Sequence, residues 1–113
     1  IRIGPPSSIP DKRARIVAAP NGERIAVFRD GDEIAAVTNL CAHQNGPLGE
    51  GRVVDGCIVC PWHGYEYRLA NGCAPPPFKE KLATYPLRIN DGMVEVDPRP
   101  LPPGTPASIH VDA

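Results

Sequence analysis

Hydrophobic positions along this chain come in short runs, none long enough or periodic enough for a helix. The runs are rich in Val, Ile, Ala and Tyr and are cut by Asx-Gly pairs, among them Asn21-Gly22, Asp30-Gly31, Asp55-Gly56, Asn71-Gly72 and Asp91-Gly92. Such pairs favour tight turns between strands, because Gly and Asn/Asp tolerate the positive φ those turns need. The pattern predicts an all-β chain with strands near 14–19, 23–29, 33–38, 51–54, 57–59, 65–69, 82–89 and 93–96. In 33–38, Glu-Ile-Ala-Ala-Val-Thr, apolar residues stand at successive positions instead of alternating. Both faces of that strand are therefore expected to be covered, as in a small sandwich or barrel. No internal repeat or amphipathic helix emerges. Pro98, Pro100, Pro102, Pro103 and Pro106 lack the N–H that a ladder uses, so 98–113 is expected to run as an extended arm outside the sheets.

One of the predicted hairpins has chemistry at its open end. Gly51-Arg-Val-Val-Asp-Gly-Cys-Ile-Val59 reads as two short strands around Asp55-Gly56. With Val54 opposite Cys57, Cys60 falls opposite about Gly51, and the residues just before Gly51 emerge at the same end. Two pairs of metal-ligating side chains flank this hairpin: Cys41-Ala-His43 before it and Cys60-Pro-Trp-His63 after it. Neighbouring loops thus deliver two thiols and two imidazoles to one place. In a Rieske [2Fe-2S] centre two thiolates hold one iron and two imidazoles replace thiolates on the other, which raises the potential above that of an all-cysteine cluster. The chemistry this ligand set implies is single-electron transfer. The centre would be neutral when oxidised, where an all-thiolate one is already doubly negative. Its imidazoles would couple proton uptake to electron uptake in alkaline solution.

Composition narrows the function further. A length of 113 residues suffices for one modest core, and not for this domain plus a second catalytic one. With 12 Lys and Arg against 13 Asp and Glu, the net charge of -1 points to neither nucleic acid nor an anionic membrane surface. Pro and Gly are abundant, but 42% hydrophobic residues argue for a packed fold. No secretory signal or long apolar run is present, and the chain is expected to be soluble and cytoplasmic, without membrane contact. Because it starts at Ile1, a processed form or a piece of something longer is also expected.

The stretches Cys41-Ala-His-Gln-Asn-Gly-Pro-Leu-Gly-Glu-Gly51 and Cys60-Pro-Trp-His-Gly-Tyr-Glu-Tyr-Arg-Leu-Ala-Asn-Gly72 resemble the two cluster loops of the Rieske ferredoxins that serve bacterial ring-hydroxylating oxygenases. Looser similarity runs from about Arg2 to Val96. The resemblance implies stacked antiparallel sheets with a cluster-binding subdomain built from the two loops. It places one Rieske domain at 1–97, the subdomain at about 39–78 and a proline-rich arm at 98–113. It implies one [2Fe-2S] cluster on Cys41, His43, Cys60 and His63, with Pro75, Pro76 and Pro77 covering it from a third side. High-potential relatives carry a disulfide at the positions of Gly46 and Trp62, so that brace is absent here. They also have a Ser at the position of Tyr65, whose hydroxyl bonds a bridging sulfide, and a Tyr at the position of Tyr67, whose hydroxyl bonds a ligand sulfur. With only Tyr67 kept, the resemblance implies a potential in the lower part of the Rieske range of roughly -150 to +300 mV.

The reading that follows is a non-catalytic electron carrier, a component of a dioxygenase system between a flavin-containing or ferredoxin reductase and a terminal oxygenase. The same residues leave alternatives open. The chain could be the Rieske domain of a larger oxygenase or of a membrane-anchored redox protein. A Cys2His2 set also binds structural zinc, giving a zinc-stabilised binding module. Cys57-Ile-Val-Cys60 has the spacing of a redox dithiol, but an extended strand points its two thiols to opposite faces, and Cys57 and Cys73 read as ordinary buried thiols. Around the loops 41–48 and 60–65 no charged side chain other than the ligands is present, and the nearest formal charges are Glu50, Arg52 and Glu66. An apolar docking face around Trp62 is therefore expected, with weak dependence on salt.

Overall fold

The computed structural model describes residues 1–42, 46–62 and 64–111. Among the described residues, three antiparallel sheets stack in three layers. The outer sheet has the order β1 (Arg2–Gly4), β10 (Met93–Val96), β9 (Leu87–Asn90). The middle sheet runs β11 (Ile109–His110), β4 (Glu33–Thr38), β3 (Arg24–Asp30), β2 (Ala14–Ala18), with β8 (Thr84–Tyr85) also paired to β4. The third, here called the cap, is β5 (Arg52–Val54), β6 (Cys57–Val59), β7 (Glu66–Arg68).

The middle sheet is buried on both faces, which explains the unbroken apolar run of β4. Ile34 and Ala36 face one way, with Ile25 and Val27 of β3, into a core closed by Ile3, Ile9, Val94 and Val96. Ala35 and Val37 face the other way, with Ala26 and Phe28, into a core closed by Leu48, Val53, Ile58, Tyr67 and Leu69 of the cap. The period-two geometry of a strand makes this division automatic. The cap hairpin has the expected register, Val54 opposite Cys57 and Arg52 opposite Val59. Its turn takes positive φ at both central residues, Asp55 at 50° and Gly56 at 77°, as a type I′ turn requires.

The structure departs from the sequence expectations in three places. The run 82–89 is two strands, because Pro86 has no N–H to donate and separates β8 from β9. Arg2–Gly4 is an unexpected strand, paired to β10 through a bulge. The C-terminal segment is not a free arm. Leu101 N–H donates to the Thr84 carbonyl at 2.7 Å, Gly104 N–H to Leu82 at 3.0 Å and Ala107 N–H to Ala70 at 3.3 Å. Past the last proline, β11 pairs with β4, Ile109 opposite Ile34. The prolines exclude a ladder only where they stand, and the residues between and after them supply the donors.

Candidate metal centre

The two ligand loops are built alike. In the first, the Cys41 N–H donates to the Gly46 carbonyl at 3.0 Å; in the second, the Cys60 N–H donates to the Tyr65 carbonyl at 2.7 Å. Each loop is thus closed by a bond from its cysteine to the residue five positions on. The first is pinned to β4 by Asn39, which is buried. Its carbonyl accepts from Leu48 N–H at 2.8 Å and its Oδ1 from Gly49 N–H at 2.7 Å. Gly49 must be glycine, since a Cβ there would lie 2.6 Å from that Oδ1 and 2.5 Å from Ile16.

Cys41 and Cys60 are both about 1% exposed, in the same core. Besides burial, Cys41 lies near enough to make ionisation of the Cys60 thiol harder. His43 and His63 lie outside the described residues, so among the described residues the cysteines are the ligands seen together, and no group of three metal-ligating side chains arises there. Burial pushes the Cys60 thiol up, against a lowering hydrogen bond from the Trp62 backbone. A thiolate at this depth therefore needs a positively charged partner, which is the demand a metal meets.

Tyr67 is 1% exposed, and its hydroxyl lies 3.1 Å from Cys41 Sγ. It also accepts the Ala42 N–H at 3.2 Å. Between a Cys41 thiol and Tyr67 either atom can donate, whereas a Cys41 thiolate, having no proton, can only accept the phenolic O–H. Burial first, and then the Cys41 sulfur, push the Tyr67 hydroxyl well above the ordinary tyrosine range, so it remains a donor. Gly46 packs against Trp62 and Cys60: a Cβ at 46 would lie 3.0 Å from the indole and 3.1 Å from Cys60 Sγ. Trp62 itself is 49% exposed at the tip. Tyr65 is half-buried and meets Phe78 edge-to-face, with centroids 6.2 Å apart. Pro75 and Pro76 line a cleft with Gly64, Tyr65 and Tyr67, while Pro77 is exposed beside them.

Several residues here were not singled out from the sequence. Asn39 and Gly49 carry the first loop, and Phe78 caps Tyr65. Arg13 reaches the cap from the chain before β2, its guanidinium donating to the Gly51 carbonyl at 3.4 Å. Only Asn39, two residues before a ligand, had a local signal. Cys57 and Cys73 are half-buried and in no disulfide, not fully buried as expected. Cys57 is on the outer face of the cap, and burial raises its thiol, so it is no reactive dithiol partner for the inward-facing Cys60.

The residues fit an iron-sulfur cluster with Cys ligands: two buried thiols in one core, a hydroxyl beside one sulfur and a backbone amide toward the other. The sequence matches the Rieske [2Fe-2S] domain over residues 1–86. It is 47% identical over 76 residues, 65% of this chain and 68% of the relative, to the anthranilate 1,2-dioxygenase ferredoxin subunit of Burkholderia cepacia. It is 37% identical to chlorophyllide a oxygenase of Arabidopsis thaliana over 68% of this chain, but the match spans only 15% of that larger protein. Among solved structures, the complex of reduced oxygenase and oxidized ferredoxin in carbazole 1,9a-dioxygenase aligns with a TM-score of 0.77 and 26% identity, covering 86% of this chain and 100% of that one. The chain belongs to the Rieske [2Fe-2S] domain family.

Proposed function

We propose that this protein is the Rieske ferredoxin of an aromatic-ring dioxygenase system, taking single electrons from a flavin-containing or ferredoxin reductase and passing them to a terminal oxygenase. The observation that carries the proposal is the buried Cys41–Cys60 pair with the Tyr67 hydroxyl on one sulfur, in a chain 47% identical to a dioxygenase ferredoxin subunit. Cys41 and Cys60 would hold one iron of a [2Fe-2S] cluster, and His43 and His63 the other. When bound, the cluster supplies a one-electron couple in the Rieske range. The protein's own part is to keep water from the sulfurs through Leu48, Ile58 and Leu69, and to place the Tyr67 proton where it stabilises added negative charge. Gly46 lets backbone approach the site closely, and the exposed Trp62 presents it to a partner.

The Rieske domain covers 1–97 with the ligand subdomain at about 39–78, and the proline-rich segment after it packs back onto the domain, β11 adding a strand to the middle sheet. We place the protein in the cytoplasm: Cys57 and Cys73 are partly exposed free thiols, which suit a reducing compartment. No helix among the described residues is long and apolar enough to cross a membrane. A second reading, a Rieske domain belonging to a larger oxygenase, is favoured by the match to 15% of chlorophyllide a oxygenase. The full coding sequence decides between them.

The test is elemental analysis of anaerobically purified protein, followed by mixing the reduced protein with the oxygenase component of anthranilate 1,2-dioxygenase. Iron and acid-labile sulfide in equal amounts, with rapid reoxidation by the oxygenase, are expected. Zinc without sulfide would overturn the proposal.

A further inference from the structure

The ligand tip carries opposite charge on its two sides, and one side is a shaped cleft. Gly64 lines two clefts, so they flank the same loop. One, of about 270 Å³, has Tyr65 and Phe78 on its walls with Tyr67 at its inner end, and Glu66 and Glu80 on its rim. The other, which reaches Cys60, is lined by Arg13 and Arg52 along with Glu50. The pairing of β5, β6 and β7 makes this separation structural. Arg52 faces Val59, Val59 faces Glu66, and all three share the outer face of the cap. Neither Glu66 nor Glu80 enters an ion pair among the described residues. The Glu80 carboxylate accepts the neighbouring Lys79 N–H, at 3.2 Å.

We propose that the cleft between Tyr65 and Phe78 is a socket for an arginine or lysine side chain of the redox partner, and that with the Arg13/Arg52 side it fixes the partner's rotation about the tip. The inference rests on the electron-carrier reading. Its chemical ground is complementarity: two carboxylates and the faces of an edge-to-face aromatic pair attract a cation with an apolar stem, and Phe78 is 53% exposed although it is the outer wall of the cleft. Seated there, the partner's side chain would lie beside Tyr67, whose hydroxyl touches Cys41 Sγ. Arg13, Arg52 and the exposed Lys79 against Glu50, Glu66 and Glu80 leave the tip with little net charge, so the long-range field is weak and the docking rate depends little on salt. The separation of the charges still gives the tip a direction.

That combination makes an unusual demand on mutants. If net charge alone steered the partner, Glu66→Lys and Arg52→Glu would shift the rate in opposite directions. A directional tip predicts that both slow it. The experiment is stopped-flow oxidation of the reduced protein by the oxygenase component of anthranilate 1,2-dioxygenase. Glu66→Lys with Glu80→Lys is expected to lower the second-order rate on the order of tenfold or more, with the rate at saturation nearly unchanged. Phe78→Ala should lower it severalfold without any charge change. Asp32→Lys, the same reversal in the β3–β4 turn of the middle sheet, should change it by less than about twofold. Visible spectra and midpoint potentials of all variants should match the unaltered protein, and a tip variant that slows transfer only by shifting the potential counts against the socket. Equal effects of Glu66/Glu80 and Asp32 reversals, or opposite effects of Glu66→Lys and Arg52→Glu, overturn the socket while leaving the carrier role intact. Failure of the unaltered protein to pass electrons to this oxygenase overturns both.

Discussion

The two faces of the middle sheet pack against cores of different kinds. The core toward the outer sheet is aliphatic apart from Tyr85: Ile3, Ile9, Ile25, Val27, Ile34, Val94 and Val96 fill it. The core toward the cap shares the same strands, but its centre includes Cys41, Cys60 and Tyr67. The first is held by burial of apolar surface and needs nothing from outside the chain. The second covers strands of only three residues, too short to hold themselves, and its thiols can become thiolates only beside positive charge. One half of the molecule therefore folds as a scaffold, and the other is completed by what it binds.

The strongest way to break this contrast is to remove a ligand. Cys60→Ala should abolish nearly all bound iron and sulfide and expose the cap amides of Ile58 and Tyr67 to hydrogen exchange, while those of Val27 and Val37 in the middle sheet remain protected. Loss of protection throughout would show that the two halves form one cooperative unit. A milder change at the same site, His43→Cys, replaces a neutral ligand by an anion, so it should keep iron and lower the midpoint potential.

A matched pair of core truncations comes next. Leu48 and Ile25 are each completely buried, one toward the cap and one toward the outer sheet. Replacing either by Ala should cost roughly 2 to 5 kcal/mol. Only Leu48→Ala should also shorten the lifetime of the visible absorption at a temperature where both variants stay folded. Equal bleaching in the two would mean that the cores are not distinct.

Smaller still is the effect of the Tyr67 hydroxyl. A hydrogen bond to a charged group is worth about 1.5–3 kcal/mol in all, and only the part that differs between oxidation states moves the potential. About 1.4 kcal/mol corresponds to 59 mV for one electron, so Tyr67→Phe should lower the midpoint by some tens of millivolts without disturbing the fold. An unchanged potential in direct electrochemistry would reduce Tyr67 to a packing residue of the cap core.

How much of this was legible in the sequence also divides along the two cores. The strands of the middle sheet and the cap hairpin were readable because their cause is local: apolar runs bounded by turn dipeptides, with Asp55-Gly56 fixing register. β1 was not, since a three-residue strand with Ile3 as its one buried side chain carries no pattern. β11 was hidden by the prolines before it. The spacing of Cys41, His43, Cys60 and His63 suggested a ligand set, of which the structure places Cys41 and Cys60 together while both histidines lie outside the described residues; Tyr67 was singled out from the family resemblance. The charge around the tip was only partly so. Arg13 and Glu80 lie far along the chain from the ligand loops and arrive through the packing of the β2 approach and the 73–81 loop, which no local pattern records.

The smallest predicted effect belongs to the scaffold, and it is set by acid. Asp97, just after β10, is held down to about 2 by the Arg99 guanidinium and then by the Arg99 backbone N–H. Glu95 on β10 is lowered first by its hydrogen bond from Arg88, with Arg2 on its other side. For a carboxylate whose folded value is depressed, the stabilisation is fully present above the ordinary carboxylate value and is lost as pH falls through the folded one. The outer sheet should thus lose a contribution between about pH 4 and pH 2. These groups are exposed, so the contribution is small and screened by salt. Asp97→Asn combined with Glu95→Gln should flatten the fall of the thermal midpoint over that window, more visibly at low ionic strength, and leave the midpoint potential at neutral pH unchanged. A shifted potential would show that the outer sheet is coupled electrostatically to the ligand loops, and the separation of scaffold from site would then fail.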